Sequence, residues 1–245
     1  MVKAKLKAAA IHGVITVILA LLAALVIYGL WYPKPFAEMS HGTDLFLLIV
    51  LVEIVLGPTI SLVIFNTRKQ KSEMLRDYFI VGMIQFSAFF YGIFSVYISR
   101  PVYLVFVKDR IEVVAAVELN NADFTHAGSQ FRSLPKLGPS TICVEFPKSP
   151  EKKSELLFSA LRGMDIQLIP EFYRECREGE IASNAYTRGE FFAIETVDNS
   201  IIPESLEGPE FTWLPVVTRF GAWLVFYPNG DVNKPLFVNE DPFSL

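Results

Sequence analysis

Residues 45–65 read LFLLIVLVEIVLGPTISLVIF, a run of twenty apolar or small residues interrupted by a single carboxylate, Glu53. At about 1.5 Å of rise per helical residue such a run covers roughly 30 Å, the thickness of the hydrocarbon core of a bilayer. The stretch therefore reads as a membrane span, and it carries two features that lipid cannot satisfy. Glu53 falls near mid-depth, and the Gly57-Pro58 pair one turn further on removes a backbone donor, leaving the carbonyl of Ile54 without its helical partner. Both features require neighbouring helices.

Two further runs supply them. Residues 8–31 are apolar after a start carrying Lys3, Lys5 and Lys7, and end in Trp31-Tyr32-Pro33, aromatics suited to the headgroup border. The first run is too long for a signal-peptide core and lacks an A-x-A site, so it reads as a retained span. Residues 78–98, YFIVGMIQFSAFFYGIFSVYI, form the third. The connections set the orientation: residues 33–44 hold only Lys34, whereas residues 66–77 hold Arg68, Lys69, Lys71 and Arg76. By the positive-inside rule the amino terminus and the second connection face the cytoplasm, and everything after Ile98 lies outside.

Counting depth from the cytoplasmic border places the Tyr91 hydroxyl level with Glu53, and places Gln85 and Ser87 near the turn disturbed by Gly57-Pro58. Thr59, Ser61 or a side chain from another helix is expected to meet the freed carbonyl. Glu53 has three readings: a hydrogen-bonded carboxyl that fixes helix register, a polar handle for the membrane helix of another protein, or part of a proton or ion path. Gly82, Ser87, Ala88 and Gly92 are small enough for close helix approach, either to such a partner or within the bundle.

The whole chain has 245 residues, of which 52% are hydrophobic and 20% charged. Its mean hydropathy is +0.38. That is too apolar for an ordinary soluble domain and too charged for an all-membrane chain, so a composite is expected, with residues 1–98 in the membrane and 99–245 as an exported domain. The exported part has 14 Lys and Arg against 21 Asp and Glu, a net charge of −7 that argues against nucleic acid.

Within it, residues 101–107 and 111–119 read as strands around a Lys-Asp-Arg turn, and residues 139–146 as another strand. Residues 150–162 place Leu156, Leu157, Ala160 and Leu161 on one helical face. Residues 171–180 and 184–198 read as short helices. Residues 212–219 and 222–227 read as strands, and Pro228-Asn229-Gly230-Asp231 before residues 235–238 is the strongest hairpin signal. The expected fold class is three transmembrane helices followed by an α+β periplasmic domain with a mainly antiparallel sheet.

Cys143 and Cys176 fall in the part expected to face an oxidising periplasm, where they either form a disulfide or remain two thiols. Neither has a close Cys or His companion for a metal. His126 is the only histidine of the globular part, and no glycine-framed serine elbow accompanies it. No phosphate-cradling loop and no H-E-x-x-H pattern occur, so neither an enzyme nor a cofactor is expected.

Several pieces of the chain resemble the type IV pilin accessory (assembly) proteins, inner-membrane proteins encoded beside the pilin. They are His12, Trp31-Tyr32-Pro33, the segment from Glu53 through Gly57-Pro58, Leu62-Val63-Ile64-Phe65, Arg76-Asp77, Gln85 with Tyr91-Gly92, and Arg100-Pro101-Val102-Tyr103-Leu104-Val105-Phe106 leading to Asp109-Arg110. Gly163-Met164-Asp165-Ile166, Pro170 to Tyr173 and Leu214-Pro215 continue the likeness. One departure is that the family usually carries aspartate where this chain has Glu53.

The resemblance implies a chaperone-like factor that helps its cognate pilin enter the pilus, and it brings no catalytic residues. The expected partners are the pilin, other pilus assembly proteins and the bilayer. The candidate partner-binding residues are Glu53, Gly57, Pro58, Gln85, Tyr91 and Arg100. A membrane-anchored sensor or a small-ligand-binding transport subunit is the rival reading. The cytoplasmic pieces hold no signalling module that would favour it.

Overall fold

A computed structural model describes residues 2–66, 69–194, 201–203, 206 and 210–243. The chain folds as two compact units, Met1–Ser99 and Arg100–Leu245.

The first unit is helical: α1 (Val2–Val26) runs on through a π-helical turn, Ile27–Trp31, and is followed by a short α2 (Phe36–Met39), then α3 (Gly42–Ile64) and α4 (Lys71–Ile98). Three of these, of 30, 23 and 28 residues counting the π-turn with α1, are long and apolar enough to cross a membrane. They extend beyond the apolar runs because helical hydrogen bonding continues into the polar flanks. Most of their large apolar side chains point outward, among them Leu22, Leu51, Val63 and Phe79.

The turn between α1 and α3 is more structured than a plain connection. Tyr32 is fully buried, and its hydroxyl donates to the Val96 carbonyl at 2.9 Å. Gly42 lies against it, since a Cβ there would come within 2.5 Å of the Tyr32 ring. Ile27, Ala37, Phe46 and Val96 complete this small core, and Trp31 packs edge-on to Tyr97 at 4.9 Å. The aromatic cluster expected at a headgroup border is thus partly internal. Tyr32 satisfies its polar tip within the protein and so buries its ring.

The second unit is an eight-stranded sheet: β1 (Pro101–Val107), β2 (Arg110–Ala115), β3 (Ser140–Val144), β4 (Tyr173–Arg174), β5 (Tyr186–Thr187), β6 (Phe211–Thr218), β7 (Gly221–Pro228) and β8 (Leu236–Val238). The strand order is β4-β3-β1-β2-β6-β7-β8, with β5 paired to β6. The sheet is mixed, which corrects the mainly antiparallel expectation: β1 with β3 and β2 with β6 are parallel pairs at its centre. Hairpin signals report only pairs that are adjacent in sequence, and parallel pairs need long crossovers that leave no local mark. All seven residues of β1 are buried, as suits a central strand covered on both faces.

Two apolar clusters flank the sheet. One gathers Val105, Val114, Leu119, Phe131, Ile142 and Tyr173; the other gathers Phe191, Phe211, Trp213, Leu224 and Phe226.

Four local expectations also change. Residues 171–180 are not a helix: a 3-10 turn, Pro170–Phe172, leads into β4, which pairs with β3, and α6 (Glu180–Asn184) begins only afterwards. The pairing of Tyr173 and the bridge at Cys176 override a weak helical periodicity. Of residues 184–198, the helical part is α7 (Arg188–Phe192), capped by Thr187, while residues 195–198 lie outside the described residues. In α5 (Pro150–Ala160) the anticipated apolar face is only partly covered: Leu156 packs against the first cluster, whereas Leu157 is 62% and Leu161 77% exposed. Strand β2 stops at Ala115, whose N–H donates to Glu118 Oε2 at 2.8 Å as the chain turns into a 3-10 helix.

Candidate functional site

In α3, Glu53, Gly57 and Ser61 recur every fourth residue and so share one face. Ser61, 1% exposed, sits against α1, where the His12 ring Nδ1 is 2.7 Å from its Oγ. Gly57 provides the room for that ring: an added Cβ would lie 2.7 Å from His12 Nε2 and 3.4 Å from Gln85 Nε2 of α4. Gly13 and Pro58 face one another in the same way, with 3.5 Å to the Pro58 Cγ. At the carboxy-terminal end of α3, Lys5 Nζ donates to the Leu62 carbonyl at 3.0 Å, satisfying one of the acceptors that a helix end leaves open. Helices α1 and α3 are therefore joined by a polar seam, with Gln85 of α4 beside it.

Next to the seam is a cavity of about 170 Å³ whose polar lining is His12, Thr16, Glu53 and Gln85. Among the described residues the Glu53 carboxylate accepts no hydrogen bond, and Gln85 Nε2 is buried without a partner. The arrangement offers an acceptor and a donor side by side in an apolar setting.

The residues singled out from the sequence fare differently. Glu53, Gly57, Pro58 and Gln85 come together. Tyr91 does not reach Glu53; its side chain is 74% exposed. Arg100 is 3% exposed and donates from Nη2 to the Pro135 carbonyl at 2.9 Å, which makes it a structural residue of the sheet unit. The expected compensation for Pro58 also differs: Thr59 Oγ1 donates to Val55 at 2.6 Å instead of serving Ile54, and Ser61 is engaged with His12.

The small residues divide. A Cβ on Gly92 would meet Ile49 at 2.9 Å, so its space is already filled, whereas a Cβ on Gly82 would meet nothing within 4 Å. His12 and Thr16 are the members that the sequence reading left out. An ionisable side chain inside an apolar run was the available signal.

In the sheet unit Cys143 and Cys176 are joined in a disulfide across 33 residues. Beside it, the Arg174 guanidinium holds the Glu180 carboxyl at about 2, far below its usual range, with help from the Arg177 N–H. Burial pushes Glu112 up, partly offset by the Arg110 Nε that donates to it at 2.5 Å. Asp123, His126 and Ser159 border a common cleft, yet they form no relay. Ser159 Oγ donates to the Leu156 carbonyl at 2.9 Å, and Asp123 accepts from the Thr125 N–H at 2.8 Å. Among the described residues no group of three or more His, Cys, Asp or Glu side chains could hold a metal ion.

Comparison with known proteins places this geometry. Residues 1–41, which include His12, match the sequence model of the fimbrial assembly protein FimB. Over 248 aligned residues the chain is 31% identical to a fimbrial assembly protein, serogroup I, of Dichelobacter nodosus, an alignment that takes in 98% of this chain and 96% of that one.

The chain belongs to the fimbrial assembly protein family.

A serogroup E1 fimbrial assembly protein of the same organism is 30% identical over the same span, and one from serogroups C1 and C2 is 33% identical over 109 residues, 44% of this chain and 83% of that one. No solved structure matches the chain. In this family member the polar seam lies in the helical unit and the disulfide in the sheet unit.

Proposed function

We propose that this protein is an accessory, chaperone-like factor for type IV pilus assembly that binds its cognate pilin in the inner membrane and the periplasm. The observation that carries the reading is full-length similarity to two fimbrial assembly proteins, joined to a carboxylate left without a partner between three membrane-length helices. A carboxyl serving only helix register would be bonded within the bundle. Glu53 instead lines an open cavity, as a handle for another helix would.

The three helices cross the inner membrane with the amino terminus in the cytoplasm. The lysines at positions 3, 5 and 7, and the basic residues between α3 and α4, favour that orientation. The acidic sheet unit then lies in the periplasm, and the disulfide suits that oxidising compartment. There it contacts the exported head of the pilin.

The test is affinity capture of the tagged full-length protein from detergent-solubilised membranes, together with pilus counts in a deletion strain. Pilin recovered with the protein, and loss of surface fibres on deletion, are the expected results. Normal fibres in the deletion strain, or a carboxy-terminal reporter active only in the cytosol, would overturn the proposal.

A further inference from the structure

The three long helices do not pack evenly. Helix α3 lies against both α1 and α4, whereas α1 and α4 meet chiefly where the π-helical turn reaches α4. Elsewhere they part, and the cavity over the Val50 to Glu53 turn of α3 is the space between them. Its walls are apolar and outward-facing: Ile15 is 53% and Phe86 57% exposed. Gly82 lies in the same wall with nothing opposite its absent side chain. Among the glycines of the long helices, Gly13, Gly42, Gly57 and Gly92 are matched by Pro58, Tyr32, His12 and Ile49, whereas Gly82, at the cavity, is left open.

We propose that this slot receives one transmembrane helix of the pilin, packed against Gly82, with one neutral side chain that both donates and accepts a hydrogen bond inserted between Glu53 and Gln85. The proposal rests on the pilin-binding reading above and adds where and how the helix is held. A lipid chain would cover Ile15 and Phe86 but would satisfy neither polar group, and in hydrocarbon only a helix brings a backbone whose own groups are already paired. A glycine in the wall lets a second helix backbone approach closely.

The polar chemistry narrows the inserted group. An ammonium would satisfy Glu53 and leave the Gln85 N–H groups without an acceptor, whereas an amide, a hydroxyl or a protonated carboxyl answers both. About 170 Å³ is room for one such side chain, in line with cavities of about 150 Å³ that hold a benzene ring.

The test uses the full-length protein co-expressed with its pilin, with a photo-crosslinking phenylalanine analogue at Phe86 in the slot or at Leu51, which is exposed outside it. Adducts are mapped by mass spectrometry. The expected result is a Phe86 adduct on the pilin membrane helix, within one turn of a Ser, Thr, Asn, Gln, Asp or Glu, and about ten-fold stronger than any from position 51. Gly82→Leu fills the slot, and should lower the adduct by about the same factor with the protein still inserted at its normal level.

Pilin adducts of equal yield from both positions, insensitivity to Gly82→Leu, or a mapped segment without a polar residue would overturn the slot. If the adduct is lipid or another protein while pilin still co-purifies, the slot assignment falls and pilin binding stands. If pilin neither crosslinks nor co-purifies, both fall.

Discussion

Strand β1 of the sheet unit buries all seven of its residues, Pro101 to Val107, while α3 of the helical unit buries only Gly42, Phe46, Gly57 and Ser61 out of 23. In the first case apolar side chains are withdrawn from water, and polar groups stay at the edges as ion pairs such as Arg174 with Glu180. In the second most apolar side chains face outward, and apart from Phe46 the inward positions of α3 go to glycine and serine. The contrast shows which forces each unit has available. Apolar burial drives a domain in water, whereas helices in lipid gain little from it and rely on close packing and hydrogen bonds. Specificity in the helical unit is therefore concentrated in a few residues, and substitutions of those at the cavity should alter partner capture more than folding.

Breaking the sheet unit should cost most. Phe226 is fully buried, with ring centroids 5.3 Å from Phe191 and 5.4 Å from Phe211, so Phe226→Ala is expected to remove about 3 to 5 kcal/mol, read as a lowered unfolding midpoint of the detergent-solubilised protein. Removing the disulfide with Cys143→Ala and Cys176→Ala together should cost about 3 to 4 kcal/mol for a loop of this length. Wild type measured with and without reductant should show the same difference, and no difference would mean that the bridge adds nothing to stability.

The glycines of the helical unit sharpen the comparison. Gly57→Leu must displace His12 and is expected to cost about 1 to 3 kcal/mol in detergent unfolding, despite its better helix propensity. Gly82→Leu, meeting open space, should stay within about 0.5 kcal/mol of wild type. Equal losses would erase the distinction between a packed glycine and an open one.

The smallest effect belongs to the surface ion pair. Glu180 is held at about 2 in the folded protein against 4.5 when free, so its contribution is fully present above about pH 4.5 and disappears as pH falls towards 2. Solvent screening limits it to about 1 kcal/mol. Glu180→Gln should lower stability by that amount at pH 7 and by nothing near pH 2, and a pH-independent difference would contradict the assignment.

What the sequence disclosed follows from what is local. The apolar runs around Glu53 and the strands before and after Asn229-Gly230 are written in neighbouring residues, and the structure places helices and strands there. The parallel pairing of β2 with β6 joins Ile111 to Val216 across more than a hundred residues, and no periodicity records it. The same limit governs the site. Counting depth along the helices puts Tyr91 level with Glu53 and Gln85 level with Gly57-Pro58, but depth says nothing about azimuth.

Tyr91 is six residues beyond Gln85, a rotation of about 600°, which points it away from the face that Gln85 shares with Gly92. The contact of His12 with Ser61 joins residues 49 apart in the chain, which no local pattern connects. The uncovered Leu157 and Leu161 of α5 carry a helical pattern that does not say whether the face meets the protein's own core.

If the Glu53 carboxyl serves a partner instead of the fold, pilin recovery should depend on it while stability does not. The measurement is the amount of pilin recovered per mole of full-length protein from membranes carrying wild type, Glu53→Gln or Glu53→Ala at matched abundance, with the unfolding midpoint of each variant recorded alongside. The expected result is about a ten-fold loss for Glu53→Ala, a smaller loss for Glu53→Gln, and unchanged midpoints. Equal pilin recovery from all three, or a fall in midpoint that matches the fall in recovery, would contradict it.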